Sequence, residues 1–88
     1  KGALQSFSKN ISREWGERGI RSNIVVPGYM ETAMNAKLTQ DHKNRIFKRT
    51  ALKKETDMRS VAETVLFLAS EKSKSITGQE IFVDSGTL

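Results

Sequence analysis

The stretch NIVVPGYMETAM, residues 23–34, decides how the chain is read. Ile24, Val25 and Val26 run without a polar break, the pattern of a strand buried on both faces in a parallel sheet. Pro27, the chain's only proline, has no N–H and cannot extend a sheet ladder, so the strand is expected to stop there. Gly28 lets the backbone turn and lets a flat ligand approach where a Cβ would otherwise stand. Thr32 then offers a hydroxyl just past the strand's end. In an open parallel sheet, ligands bind outside the carboxyl ends of the strands. A Pro-Gly turn is also an ordinary way to end a strand, so the flanking sequence must choose between turn and site.

Upstream, Ala3, Leu4, Phe7, Ile11 and Trp15 recur at three- and four-residue spacing, which predicts an amphipathic helix over 2–17. Gly19 is placed to end it in a left-handed conformation. The strand that follows is expected over 20–26. Downstream, Thr39 is the expected N-cap of a helix over 40–49 with only Leu38, Ile46 and Phe47 as anchors. So sparse an apolar face predicts a flap over something, not a core helix. RTALKKETD, residues 49–57, reads as a polar connector, and Asp57 caps a strongly apolar helix running through Ser70. EIFVD, residues 80–84, is a short strand. Two buried strands joined by a helical crossover make a right-handed βαβ unit of a parallel sheet. Two strands alone cannot cover both faces of such a sheet, and no capping residue precedes the first helix, so the chain reads as a piece of a longer one.

Length and composition narrow the function classes. Eighty-eight residues make at most one domain, and 36% apolar content with no long apolar run argues against a membrane span. With no cysteine there is neither a disulfide framework nor a thiolate zinc site, and no metal site is expected. Net charge is +5, unevenly placed. Lys37, Lys43, Arg45, Lys48, Arg49, Lys53 and Lys54 cluster with Asp41 as the only acid among them. Such a patch attracts phosphate or an acidic partner, or is simply a solvated helix face. No helix-turn-helix, zinc finger or aromatic platform accompanies it, which disfavours nucleic acid.

RGIRSNIVVPGYMETAM, residues 18–34, resembles the short-chain dehydrogenase/reductase family, whose chains carry an Asn-x-x-x-Pro-Gly-x-x-x-Thr pattern matched by Asn23, Pro27, Gly28 and Thr32. TVLFLAS at 64–70 and ITGQEIFVDSG at 76–86 resemble that family's closing helix and last strand. KGALQSFSKNISREW, residues 1–15, resembles the helix carrying the lysine of its Tyr-x-x-x-Lys motif. Within the family the nearest pattern is that of the 3-oxoacyl-acyl-carrier-protein reductases.

The resemblance implies an α/β fold, the C-terminal part of a Rossmann-type doubly wound parallel sheet. It makes residues 1–88 one fragment of a dinucleotide-binding catalytic domain, with 33–54 as substrate lid. When complete, such an enzyme transfers hydride between NADP (or NAD) and a carbonyl or hydroxyl substrate. Lys1 would be the catalytic lysine, bonding the nicotinamide ribose and favouring the phenolate of the catalytic tyrosine. Pro27, Gly28, Met30 and Thr32 would hold the nicotinamide side of the cofactor, Met30 through its backbone. The Met30 and Met34 side chains would pack beneath the lid. Asn23 would hold the strand's flank. Arg18, with Met34 and Lys37 at the lid, would face substrate or an acidic carrier protein; Arg18 equally complements the negative end of its helix dipole. A homotetramer in the cytoplasm or an organelle matrix is implied. The glycine-rich turn, catalytic serine and tyrosine would lie upstream of Lys1, leaving this stretch inactive alone.

The pattern is departed from in two places: Ala51, Lys53 and Thr56 stand where proline and glycine are common, and Ser85 stands where Val-Asp-Gly-Gly has glycine. Two other classes remain, a non-catalytic interaction module and a small basic nucleic-acid-binding domain.

Overall fold

The computed structural model describes residues 2–30 and 37–87. Helix α1 spans Gly2–Trp15 and strand β1 Ile24–Pro27; α2 spans Gln40–Lys48, α3 Met58–Leu68 and β2 Glu80–Val83. The two strands are parallel, with Val25 opposite Ile81 and Pro27 opposite Val83. A sheet of parallel strands linked by a helical crossover is the α/β architecture expected, a partial Rossmann-type fold.

Each helix starts and stops where local chemistry dictates. A tight turn at 16–18 follows α1, and Gly19, at φ 79°, donates its N–H back to the Gly16 carbonyl. Thr39 caps α2 by accepting from the His42 N–H at 3.2 Å, and Asp57 caps α3 by accepting from the Arg59 N–H at 3.0 Å. Helix α3 ends at Leu68, two residues short of the expected Ser70, because Ser70 itself caps a further tight turn at 71–73.

Strand β1 is shorter than expected and shifted. Residues 20–23 are committed to other partners. The Ile20 N–H still bonds the Trp15 carbonyl, and Ser22 donates to Thr77 Oγ1 and accepts from the Gly78 N–H. Asn23 bridges the gap with its amide, donating to the Ile76 carbonyl and accepting from the Gln79 N–H, both at 3.0 Å. At the other end the ladder runs through Pro27. The Ile24 N–H donates to the carbonyl of Gln79, just before β2, and the Gly28 N–H to that of Val83 in β2, so by the two-residue period of a strand the nitrogen of Pro27 faces away from β2. The proline removes a donor from the outer edge only.

The sheet has a helix on each side. Val25 lines a cavity with Val65 and Leu68 of α3 and with Ala69 just beyond it, whereas Glu80 accepts from Gln5 of α1 at 2.8 Å. Positions 25 and 81 point one way and 24 and 80 the other, so α3 and α1 lie on opposite faces. Arg21 ties the α3 side together. Its guanidinium donates to the carbonyls of Leu68, Ser70 and Ile76 and to Ser73 Oγ, satisfying carbonyls that the end of a helix leaves without partners.

Among the described residues no apolar side chain is buried; the buried ones are Ser8, Thr50, Thr56 and Ser73. Leu4 and Phe7 of α1, Val65 and Leu66 of α3, and Phe82 of β2 are all exposed. The radius of gyration is 15.6 Å, against about 12 Å for a compact domain of this length. These layers therefore carry apolar faces that the described residues leave exposed. Among the described residues no helix is long and apolar enough to cross a membrane.

Candidate active site

The loop leaving β1 borders a cavity. Val26, Pro27, Gly28, Phe82, Asp84 and Thr87 line a space of about 510 Å³ at the carboxyl ends of both strands. Three of its walls, Val26, Pro27 and Phe82, are apolar, and Gly28 contributes only backbone. This is where an open parallel sheet presents its binding loops.

Gly28 is glycine for a reason the sequence did not disclose. A Cβ there would stand 2.7 Å from Asp84 Cα and 2.7 Å from Thr56 Oγ1. The space beside it is taken by the end of β2 and by the connector after α2. That connector is more than a polar link. Ala51 and Leu52 donate to the carbonyls of Gly86 and Ser85, and Thr50 bridges Thr87 in antiparallel sense. The strap brings Thr56 under the loop, where its N–H bonds the Tyr29 carbonyl at 3.1 Å. Side-chain pattern carries no sign of such pairing, because the bonds are made by backbone. On the far side of the strap Asp84 Oδ1 accepts from the N–H groups of Gly86 and Thr87, and Ser85 is held at φ 59°. That left-handed conformation favours glycine, which accounts for the Gly-Gly pattern that Ser85 interrupts.

Tyr29 stacks obliquely on Phe47 of α2, ring centres 5.9 Å apart, and this contact seats α2 over the loop. The Tyr29 hydroxyl is buried and finds no hydrogen-bond partner among the described residues. Removing it as Tyr29→Phe is expected to stabilise the fold by about 1 kcal/mol, since a buried polar group without a partner costs that much or more. A denaturation midpoint that falls instead would show the hydroxyl to be partnered.

Of the residues singled out from sequence, Pro27 and Gly28 sit together at the cavity and the half-buried Met30 follows them. Lys37 is exposed in the turn leading to α2. Arg18 is elsewhere: it precedes the amino end of β1, the opposite end of the sheet from Gly28, with its guanidinium 5.3 Å over the Trp15 ring. Lys1, Thr32 and Met34 lie outside the described residues. Thr56, which shapes the loop, was not signalled by any motif, and Asp84 stood in the closing-strand pattern with no role assigned to it.

A family model described as enoyl-(acyl carrier protein) reductase matches residues 1–87. A tropinone reductase homolog of Arabidopsis thaliana is 39% identical over 88 residues, covering 98% of this chain and 34% of that protein. The 3-oxoacyl-[acyl-carrier-protein] reductase of Staphylococcus epidermidis is 38% identical over 86 residues, covering 98% and 35%. That of Chlamydia trachomatis shares the same identity and coverage. The chain thus spans about a third of the length of the curated relatives it matches. With this match along its length and a Pro-Gly loop opening on the strand-end cavity, the chain belongs to the short-chain dehydrogenase/reductase family.

Proposed function

We propose that residues 1–88 are the C-terminal part of a single dinucleotide-binding catalytic domain. The enzyme is an NAD(P)-dependent oxidoreductase acting on a carbonyl or hydroxyl substrate, with residues 33–54 as its lid. The observation that carries this reading is the cavity at the strand ends, walled by Val26, Pro27, Gly28 and Phe82. An apolar wall beside a side-chain-free backbone suits a flat, weakly polar ring carrying an amide. The residues present fit a nicotinamide group: Pro27 and Gly28 would border it, the Met30 backbone and Thr32 hydroxyl would bond its amide, and Lys1 would bond its ribose. Bound there, the cofactor supplies or accepts the hydride. The chain's own part is to orient that ring and, through Lys1, to hold positive charge near the proton donor.

The uncovered apolar faces of α1 and α3 support a place within a larger domain and a homo-oligomer, a tetramer on this reading. The names of the relatives favour a 3-oxoacyl-acyl-carrier-protein substrate, and on the reductase-like resemblance the cofactor is taken as NADP in preference to NAD.

The intact polypeptide carrying residues 1–88 is expected to consume NADPH when given a 3-oxoacyl thioester, followed by the loss of cofactor absorbance. Failure to bind either NADPH or NADH would overturn the reading. Thr32→Val in the same polypeptide is expected to weaken cofactor binding by roughly 1–3 kcal/mol, the cost of a lost hydroxyl contact. Unchanged affinity in a titration would assign Thr32 to the loop instead.

A further inference from the structure

The cations gathered between Lys37 and Lys54 acquire a shape in the fold. Asp41, Asn44, Arg45, Phe47, Lys48 and Lys53 line a cavity of about 540 Å³ between α2 and the turn that follows it. It shares no lining residue with the cavity at the strand ends. Arg45 and Lys48 come from α2 itself. Lys53 is brought back to the same wall by a left-handed backbone turn, φ 56°, and its Nζ donates to the Lys48 carbonyl at 2.6 Å. That bond caps one of the last carbonyls of α2 and holds the ammonium beside the helix. Asn44 Oδ1 accepts from Gln40 Nε2 at 3.0 Å, which leaves the donor end of its amide for a ligand. Asp41 is the single carboxylate against three cations, so the wall carries a net positive charge of two.

Phe47 belongs to both neighbourhoods. It lines this cavity and also packs on Tyr29, the residue after Gly28. The cationic wall is therefore one aromatic ring away from the loop at the end of β1. We propose that this cavity is an anion subsite that receives a phosphate ester carried on the tail of the substrate, whose carbonyl end sits at the strand-end cavity on the reading given above. A guanidinium and two ammonium groups on one wall suit the several oxygens of a phosphate, the guanidinium by paired hydrogen bonds and the ammonium groups as point charges. A single short cationic wall beside one aromatic ring suits a small phosphate group, not the continuous track that a nucleic-acid backbone needs.

Binding alone tests this. The intact polypeptide, saturated with NADPH so that a nucleotide site is filled, is titrated with coenzyme A, whose pantetheine tail carries phosphates and an adenosine, and with pantetheine, the tail alone. Coenzyme A is expected to bind at least about tenfold more tightly and to weaken as salt is raised, as a charge-recognised ligand does. The double variant Arg45→Glu/Lys48→Glu is expected to lose at least about tenfold in coenzyme A affinity while NADPH affinity stays unchanged. Lys53→Gly guards against misfolding, because it relieves the left-handed backbone while deleting a cation. It is expected to keep or raise thermal stability and still weaken coenzyme A. Equal affinity for the two probes, or affinity unmoved in both variants, overturns the proposal. A carrier protein with and without its phosphopantetheine arm distinguishes a protein-borne ester from a free one, and preference for the loaded form supports the subsite. Should the unmodified protein bind coenzyme A but no nicotinamide cofactor, the oxidoreductase reading fails while the anion subsite stands.

Discussion

Gly28→Ala is expected to destabilise the intact protein by about 3 kcal/mol, the upper range for forcing a methyl group into filled space. The new Cβ would stand 2.7 Å from Asp84 Cα and 2.8 Å from Asp84 Cβ as well as 2.7 Å from Thr56 Oγ1. Relief by rotating a flexible side chain is not on offer, since Asp84 Cα is main chain at the end of β2. Nor can the loop drift easily. The Gly28 N–H is bonded to the Val83 carbonyl at 2.9 Å, and the Tyr29 carbonyl is bonded to the Thr56 N–H at 3.1 Å. Either the β1–β2 register opens at its carboxyl end or the strap carrying Thr56 moves out. Both deform the cavity at the strand ends, so cofactor affinity should fall together with the denaturation midpoint. Gly16→Ala is the matched control, because nothing lies within 4 Å of its Cβ position. A midpoint for Gly28→Ala no lower than that of the control would show that the loop yields freely.

Lys1→Ala is expected to cut turnover of the intact enzyme by about two orders of magnitude or more, the range for losing a group that tunes a general acid. The warrant is positional: residues 1–15 resemble the helix of the Tyr-x-x-x-Lys motif, and on the proposed reading Lys1 stands where its lysine does. An ammonium beside a phenol favours the phenolate and so sets its readiness to exchange a proton with the substrate oxygen. Turnover should fall more than the global stability, which separates this variant from Gly28→Ala. Near-normal turnover would remove Lys1 from the catalytic set.

The two substitutions mark different depths of legibility. The strand, its parallel partner and the helix caps at Thr39 and Asp57 could be read directly, because each depends on a few neighbouring residues: an apolar run, a proline, a side-chain oxygen two or three residues ahead of a helical N–H. The beginning of β1 could not. Residues 20–23 look like strand, yet Ile20 stays bonded to Trp15, and most bonds of Arg21, Ser22 and Asn23 go to residues 68–79, more than forty positions away in sequence. Arg21 illustrates the difficulty: a charged residue beside an apolar run has no periodic signature that reveals four partners between Leu68 and Ile76.

Local pattern alone determined that this chain holds a parallel α/β unit, where its helices begin, and that a Pro-Gly loop ends the first strand. Those features are set by short-range sterics and by the period at which apolar side chains recur. Only the tertiary structure decided why residue 28 must lack a side chain, that the connector after α2 straps back onto the end of β2, and that three scattered cations share one wall. Each of these depends on backbone groups or charges from distant segments meeting in space, and such meetings leave no mark on the spacing of residues along the chain.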